Sequence, residues 1–116
     1  MNETENAVLI SIHQNIFPDG KYSGAQVFCA SDEESKEIGR KLQNNLIQFL
    51  NPDSKRQSKT AEDVYLMEHI QKPGILVECG FLSNIEEEAR LRSASYQNRL
   101  CAVIASTLST HFCQGR

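Results

Sequence analysis

The chain has 116 residues, of which 40% are hydrophobic and 23% are charged, and its formal net charge is −3. This length is enough for one globular domain of ordinary composition. The 12 Lys and Arg residues are scattered along the chain, which argues against a nucleic-acid-binding face. No apolar run approaches the roughly 20 residues that cross a bilayer, and the polar, acidic N-terminus does not resemble a signal peptide.

The first third of the chain is predicted to contain two strands joined by a loop. Their order is strand 7–12, loop 14–23 and strand 24–30. Because a ten-residue loop is shorter than a usual helical crossover, we expect the two strands to be antiparallel or irregularly joined.

A helix is then predicted to begin at Ser31, with Glu34 as its capping-box partner, and to end near Asn51-Pro52. Its buried face is marked by apolar residues that recur every three to four positions: Ile38, Leu42, Leu46 and Phe49. The polar stretch 51–60 is predicted to be a loop. Residues 61–71 are predicted to form either a short strand with a helical turn or a short helix.

The C-terminal half begins with a predicted strand over residues 75–81, whose first three residues form an apolar run typical of a central strand. Helices are predicted over residues 85–92 and 95–112. Glu86 or Glu87 is expected to complete the cap of the first of these helices. Strands that alternate with helices predict a three-layer α/β/α fold.

The four cysteines do not form a CxxC pair, which argues against a zinc ribbon or a redox motif. Cys29, Cys79 and Cys101 lie in apolar segments and are interpreted as small buried hydrophobic residues rather than as disulfide partners. Cys113 is predicted to carry an exposed thiol.

Two of the predicted strands carry an ionisable side chain within them or directly after them. His13 follows the first strand, and Glu78 lies inside the apolar strand 75–81. A lone histidine at a strand end is more often structural than functional, but a carboxylate in such a strand is costly to bury unless it is paired or used. Because ligands of open α/β sheets bind at the carboxyl ends of strands, the pair favours a hydrolase-like site. His69 and His111 are interpreted as structural.

Four segments in this order resemble the zinc-dependent N-acetylmuramoyl-L-alanine amidases of the amidase-3 type: "SIHQN", "GAQVF", "VYLM" and "KPGILVECGFLSNIEEEARL". The resemblance covers residues 7–112. Within the family it points to the germination-specific enzymes that act on the spore-cortex peptidoglycan of spore-forming bacteria. It implies a mixed, mostly parallel sheet flanked by helices, with residues 1–116 as a single partial catalytic domain truncated at its N-terminus.

The resemblance also implies roles for individual residues. His13 corresponds to one of three zinc ligands, and Glu78 to the general base that activates water. Asn15, Leu66 and Met67 are the residues expected to contact the substrate. The reaction implied is cleavage of the amide bond between N-acetylmuramic acid and the L-alanine of the stem peptide.

The sequence departs from the family pattern before residue 7. The family's other two zinc ligands, a His and a Glu, precede the "SIH" segment, where this chain has only a few residues. We therefore expect weak or no zinc binding and impaired activity. An exposed sheet edge is expected to favour self-association.

The partners implied by the family are peptidoglycan or muropeptide and an activating lipoprotein. The location implied is the cell wall, the extracellular space or the forespore intermembrane space. Two alternatives stay open from the sequence: a non-catalytic peptidoglycan-binding module derived from an amidase, and a plain α/β interaction domain. Saturable binding of a muropeptide near His13 and Glu78 would exclude the latter.

Overall fold

A four-stranded sheet organises the residues that the structure describes. The computed structural model describes residues 7–16, 20–61 and 73–114. The strands are β1 (Leu9–Asn15), β2 (Gln26–Cys29), β3 (Lys59–Thr60) and β4 (Gly74–Phe81), and their order in the sheet is β1-β4-β2-β3. β4 is parallel to β1 and antiparallel to β2, and β3 is parallel to β2. The prediction of a mixed, mostly parallel sheet is confirmed.

The boundaries of all three predicted strands differ from those observed: 7–12 was predicted for β1, 24–30 for β2 and 75–81 for β4. β1 extends to Asn15, so His13 lies within the strand and not after it. The polar stretch predicted to be a loop contains β3, because Lys59 and Thr60 pair with the end of β2. β1 and β2 run in opposite directions, as the short connection predicted, but β4 lies between them.

In the described part of the chain, three helices pack on one face of the sheet: α1 (Glu33–Phe49), α2 (Ile85–Arg92) and α3 (Ala94–Gln114). The core between sheet and helices is aliphatic, and several side chains are fully buried: Val27, Ile38, Leu42, Leu46, Ile75 and Val77. Within the described ranges the helices cover only this face, which we call the helical face. The α/β class is confirmed. The sheet and the helices on the helical face are two of the three layers that the sequence predicted.

The opposite face, which we call the open face, carries a smaller apolar cluster around Ala30, Ala61 and Leu76. Leu9 and Phe28 pack against this cluster and are only partly buried. The open face is therefore less completely covered by the described residues than the helical face is.

The first helix begins one residue later than predicted. Asp32 is the N-cap, and its carboxylate accepts a hydrogen bond of 2.9 Å from the Ser35 backbone N–H. The N-cap is therefore not Ser31, as the predicted capping box with Glu34 required, and Oε2 of Glu34 lies 3.1 Å from Nε2 of His111 on α3. Phe49 was predicted to be buried but is 55% exposed, since it is the last residue of the helix.

The cysteine prediction is wrong at Cys101, whose side chain is exposed. It follows Leu100, and one helical residue turns the side chain by about 100° away from the buried stripe. Cys29 and Cys79 are buried and Cys113 is exposed, as predicted, and all four thiols are free.

Most of the ambiguous segment 61–71 lies outside the described residues, and so do Leu66, Met67 and His69. In the described part of the chain, no helix has the length and apolarity needed to cross a membrane.

Candidate active site

His13 and Glu78 lie side by side on adjacent strands. Their Cα positions are paired in the parallel register of β1 and β4, so both side chains project from the same face of the sheet. That face is the open face, because the flanking residue Val77 points into the helical core. Both residues lie toward the carboxyl ends of their strands, where open α/β sheets bind ligands.

Glu78 is partly buried and has a polar neighbour on each side. Its Oε2 accepts a 2.9 Å hydrogen bond from Nδ2 of Asn15, which follows an irregularity in the β1 register. On the other side, Gln26 of β2 is paired with Glu78 in the antiparallel register. Breaks in strand register, such as the one before Asn15, often change the direction of side chains next to active sites. Asn15, predicted to contact substrate, is thus placed against the predicted base.

His13 is exposed, and its Nε2 lies 2.6 Å from Oγ of Ser11. Across residues 7–16, 20–61 and 73–114, no three His, Cys, Asp or Glu side chains are close enough together to hold a metal ion. A catalytic zinc site usually has three protein ligands. The described residues therefore do not by themselves complete the zinc site that the family resemblance implies.

A cleft of about 190 Å³ opens above Glu78. Its lining includes Asn15 and Gln26, which were discussed above, together with two cations and two aromatic rings: Arg56, Lys59, Tyr22 and Phe81. None of these last four residues was predicted from the sequence to belong to the site. Gln26 could have been noticed in the sequence, because an amide inside the apolar segment "GAQVFCA" is unusual. Arg56 could not, because the stretch that carries it is uniformly polar.

Arg56 is held in place at the rim of this cleft. Its Nε and Nη2 donate to the Ser23 carbonyl oxygen at 3.2 and 3.1 Å, and Nη1 lies 3.4 Å from Oε1 of Gln26. The guanidinium carbon lies 5.0 Å from the centre of the Phe81 ring, within range of a cation–π contact. The cation is thus oriented by uncharged groups.

A second carboxylate, that of Glu87 on α2, holds the backbone next to the site through hydrogen bonds. It is 1% exposed, and its Oε1 accepts hydrogen bonds from the backbone N–H groups of Gly24 at 2.7 Å and Phe81 at 3.0 Å. Its Oε2 accepts from Arg90 at 2.9 Å. A Cβ at Gly80 would lie 2.5 Å from Oε1, so only glycine leaves room for this carboxylate. Glu87 thereby fixes the end of β4 and the approach to β2.

Two further candidates among the described residues, Cys79 and His111, lie away from the open face. Cys79 points into the helical core, where burial raises the pKa of its thiol to about 11 and keeps it protonated at neutral pH. His111 is 3% exposed and links α3 to α1 through Glu34 and Lys41. Its placement agrees with the structural interpretation.

The sequence profile of the N-acetylmuramoyl-L-alanine amidase family matches residues 1–110. The germination-specific N-acetylmuramoyl-L-alanine amidase of Bacillus subtilis strain 168 is 34% identical over 113 residues. That alignment covers 97% of this chain and 47% of the relative. The chain thus spans about half the length of that relative.

Two solved structures share the fold. The CwlD amidase from Clostridioides difficile, solved in complex with the GerS lipoprotein, superposes with a TM-score of 0.88 at 34% identity. The match covers 95% of this chain and 57% of that one. A second N-acetylmuramoyl-L-alanine amidase, from Clostridium difficile 630, gives a TM-score of 0.84 at 23% identity and covers 97% and 61%. At that identity the second match supports the fold alone.

Proposed function

Because the chain belongs to the N-acetylmuramoyl-L-alanine amidase family, we propose that its open face carries the general-base part of an amidase active site. The observation that carries this proposal is the pairing of His13 with Glu78 on one face of the sheet, together with the cleft that Glu78 lines. The proposed substrate is the amide that joins the lactyl carboxyl of N-acetylmuramic acid to L-alanine in peptidoglycan.

Glu78 acts as the base in this proposal. Its carboxylate removes a proton from a water molecule, whose oxygen adds to the lactyl carbonyl carbon. When the C–N bond breaks, the same carboxyl returns the proton to the departing amine of L-alanine. The hydrogen bond from Asn15 fixes Oε2, so the other oxygen is the one offered to water.

The base function of Glu78 is tested by measuring the free L-alanine amines released from purified peptidoglycan by the 116-residue chain with zinc supplied. We expect Glu78→Gln to lower any release at least about a hundredfold, because the amide cannot accept the proton. Glu88→Gln, at a partly exposed position on α2, is the matched control and should retain activity. Equal release by the Glu78→Gln variant and the unaltered chain would reject the base.

Zinc binding is a separate proposal. Because no three His, Cys, Asp or Glu side chains of the described residues lie close enough together to hold a metal ion, we expect zinc to be lost on dialysis. One tightly held zinc per chain after dialysis, found by metal analysis, would contradict this expectation.

The partners are also proposals. A lipoprotein partner is supported by the complex of CwlD with GerS, and action at the cell wall or spore cortex is supported by the germination-specific relative. Self-association is supported by edge strand β1, where Ile12 is 55% exposed. A monomeric mass in light scattering at high protein concentration would reject self-association.

A further inference from the structure

We infer that a second copy of this chain docks along β1 and the adjacent flank of α3, so that the two β1 strands pair antiparallel about Ile12. The surface involved, which we call the β1–α3 groove, is formed by Ile10, Ile12, Cys101, Ala105 and Leu108. Such a dimer rests on the self-association proposed above and gives it an interface. It is independent of the proposed amidase reaction.

The floor of the groove is the helical side of β1, which lies at one edge of the described sheet. Ile10 and Ile12 pair with Ile75 and Val77 of β4, whose side chains are in the helical core, so both isoleucines point to the helical face. Ile10 is partly buried, but Ile12 is 55% exposed. The described helices therefore leave this apolar strip only partly covered.

The wall of the groove is the flank of α3 that faces away from α1. Thr107 and His111 face α1, with side-chain contacts to that helix at 2.8 and 3.2 Å. At about 100° per residue, the remaining groove residues lie roughly 80–140° further round the helix axis, all in the same direction: Cys101, Ala105 and Leu108. Leu108 is partly buried against the core, whereas Cys101 and Ala105 are exposed.

This flank of α3 faces β1. The side chain of Gln43 on α1 accepts a 2.8 Å hydrogen bond from the backbone N–H of Val27, so α1 lies beside β2. The pKa of Cys79 on β4 is raised first by burial and then by the neighbouring Cys101 thiol, which places α3 beside β4. Because β1 is the next strand beyond β4, the side of α3 that faces away from α1 is the side toward β1.

The groove carries no acidic or basic side chain, and this suits a second copy. Residues 7–16, which include β1, and residues 100–113 of α3 contain no Asp, Glu, Lys or Arg. By contrast, five of the eight residues of α2 are charged. A charged partner finds no counter-ion in the groove, whereas two chains of net charge −3 can meet here without apposing like charges.

The backbone of β1 sets the register of the pairing. The N–H of Leu9 bonds to the carbonyl oxygen of Pro73 and so points toward β4. Because this direction alternates along a strand, the backbone groups of Ile10 and Ile12 point to the outer edge. Two antiparallel copies can therefore exchange hydrogen bonds between their Ile12 residues, with a twofold axis between them. The pairing satisfies the edge groups of both copies.

Helix spacing supports the same arrangement. Antiparallel pairing extends one sheet, so the two α3 helices lie on the same side of it. Neighbouring strands are about 4.8 Å apart and packed helices about 8–10 Å apart, so two helices can face each other across one pair of strands. The exposed Ala105 leaves room for the second α3, and Ile12 of each copy fills the space below the helices.

The pairing also joins the two open faces. Ser11 and His13 lie on the open face, and with Ile12 opposite Ile12, the His13 of one copy lies opposite Ser11 of the other. Each candidate site thereby gains a neighbour from the second copy.

The test measures the mass of the full 116-residue chain by sedimentation equilibrium over a range of protein concentrations. We expect the mass to rise from 13.1 kDa toward twice that value. Ile12→Lys and Ala105→Arg should each weaken the dimer at least about tenfold, because each places two like charges in an apolar interface. Ile85→Lys is the matched control, since Ile85 is 87% exposed at the start of α2, and it should leave the dimer unchanged.

Cross-linking tests the register. In a chain with Cys101→Ser and Cys113→Ser, which removes the two exposed thiols, Ile12→Cys should be joined between copies by a short bismaleimide. Directly opposed residues of an antiparallel pair have Cβ atoms about 5 Å apart. Ile85→Cys in the same background should remain unlinked. Circular dichroism verifies that each variant is folded, and Ala105→Arg tests the interface even if Ile12→Lys does not fold.

A chain that stays monomeric at every concentration would overturn both the interface and the self-association, while the proposed amidase reaction would stand. A dimer that persists in the folded Ile12→Lys and Ala105→Arg variants would overturn the interface alone, because self-association then uses another surface. Cross-linking of Ile85→Cys as efficient as that of Ile12→Cys would overturn the register about Ile12.

Discussion

The two faces of the sheet are built from the same strands but differ in chemistry. On the helical face, Val27, Ile75 and Val77 are fully buried against three helices. On the open face, the alternate positions of β2 and β4 carry Gln26 and Glu78. Because successive side chains of a strand point to opposite faces, a single strand can supply both stability and reactivity. This difference supports the proposal that the active site lies on the open face, where the apolar packing is weaker.

Two glutamates near this sheet, Glu78 and Glu87, differ in burial and in hydrogen bonding. Glu78 is partly buried, has one hydrogen-bond donor on Oε2 and faces a cleft. Glu87 is 1% exposed and accepts from two backbone N–H groups and Arg90. A buried carboxylate whose oxygens are all hydrogen-bonded stabilises the fold, whereas a partly buried carboxylate next to a cleft can contact a substrate.

The largest expected effect on stability is at Glu87. We expect Glu87→Ala to lower the free energy of unfolding by about 3–5 kcal/mol, because it leaves two buried N–H groups and Arg90 without their acceptor. Urea denaturation followed by circular dichroism measures the loss.

Glu88→Ala is the control for that experiment. Glu88 lies next in sequence and pairs on the surface with Arg92, so its loss should cost less than about 1 kcal/mol. Similar costs for the two variants would show that Glu87 does not hold the strand end.

The next effect concerns α1. Leu42 is fully buried and Phe49 is 55% exposed, although both belong to the same predicted apolar stripe. Leu42→Ala is expected to cost about 2–5 kcal/mol through the cavity it leaves, and Phe49→Ala less than about 1 kcal/mol. A cost at Phe49 equal to that at Leu42 in the same denaturation assay would mean that Phe49 is covered in solution.

The smallest expected effect is a difference in alkylation rate between the exposed and the buried thiols. Alkylation at pH 8 should label Cys101 and Cys113 rapidly and spare Cys29 and Cys79, whose pKa values are raised by burial. Mass spectrometry should find four labels after unfolding. Labelling of Cys79 as fast as Cys101 would contradict its placement in the helical core.

Cys79 also gives a dependence of stability on pH. Its pKa is about 11 in the folded chain against an ordinary value of 9.0. Between these values the thiol ionises in the unfolded state but not in the folded state. This group therefore stabilises the fold fully below pH 9 and loses that contribution as pH rises toward 11.

The elements with strong periodicity were predictable from the sequence. The stripe of Ile38, Leu42 and Leu46 specified α1, and the apolar run 75–77 specified a central strand. His13 and Glu78 were found because polar residues interrupt or follow apolar strands. Their pairing in register could not be derived from local pattern, since it depends on how distant strands associate.

Other features were hidden because their signal is tertiary. β3 has two residues and forms only through pairing with β2, so no periodicity marks it. Arg56 owes its orientation to Ser23 and Gln26, which are 33 and 30 positions away. Glu86 or Glu87 was expected to complete a helix cap, but the Glu87 carboxylate accepts tertiary hydrogen bonds from Gly24 and Phe81.

The assignment of function to the open face is tested most directly by NMR titration of the full chain with N-acetylmuramoyl-L-alanyl-D-glutamate. The account predicts saturable shifts that are largest at Asn15, Gln26, Arg56 and Glu78, with α1 and α3 residues such as Leu42 and Ile104 unchanged. Absence of saturable shifts, or shifts centred on the helices, would contradict it.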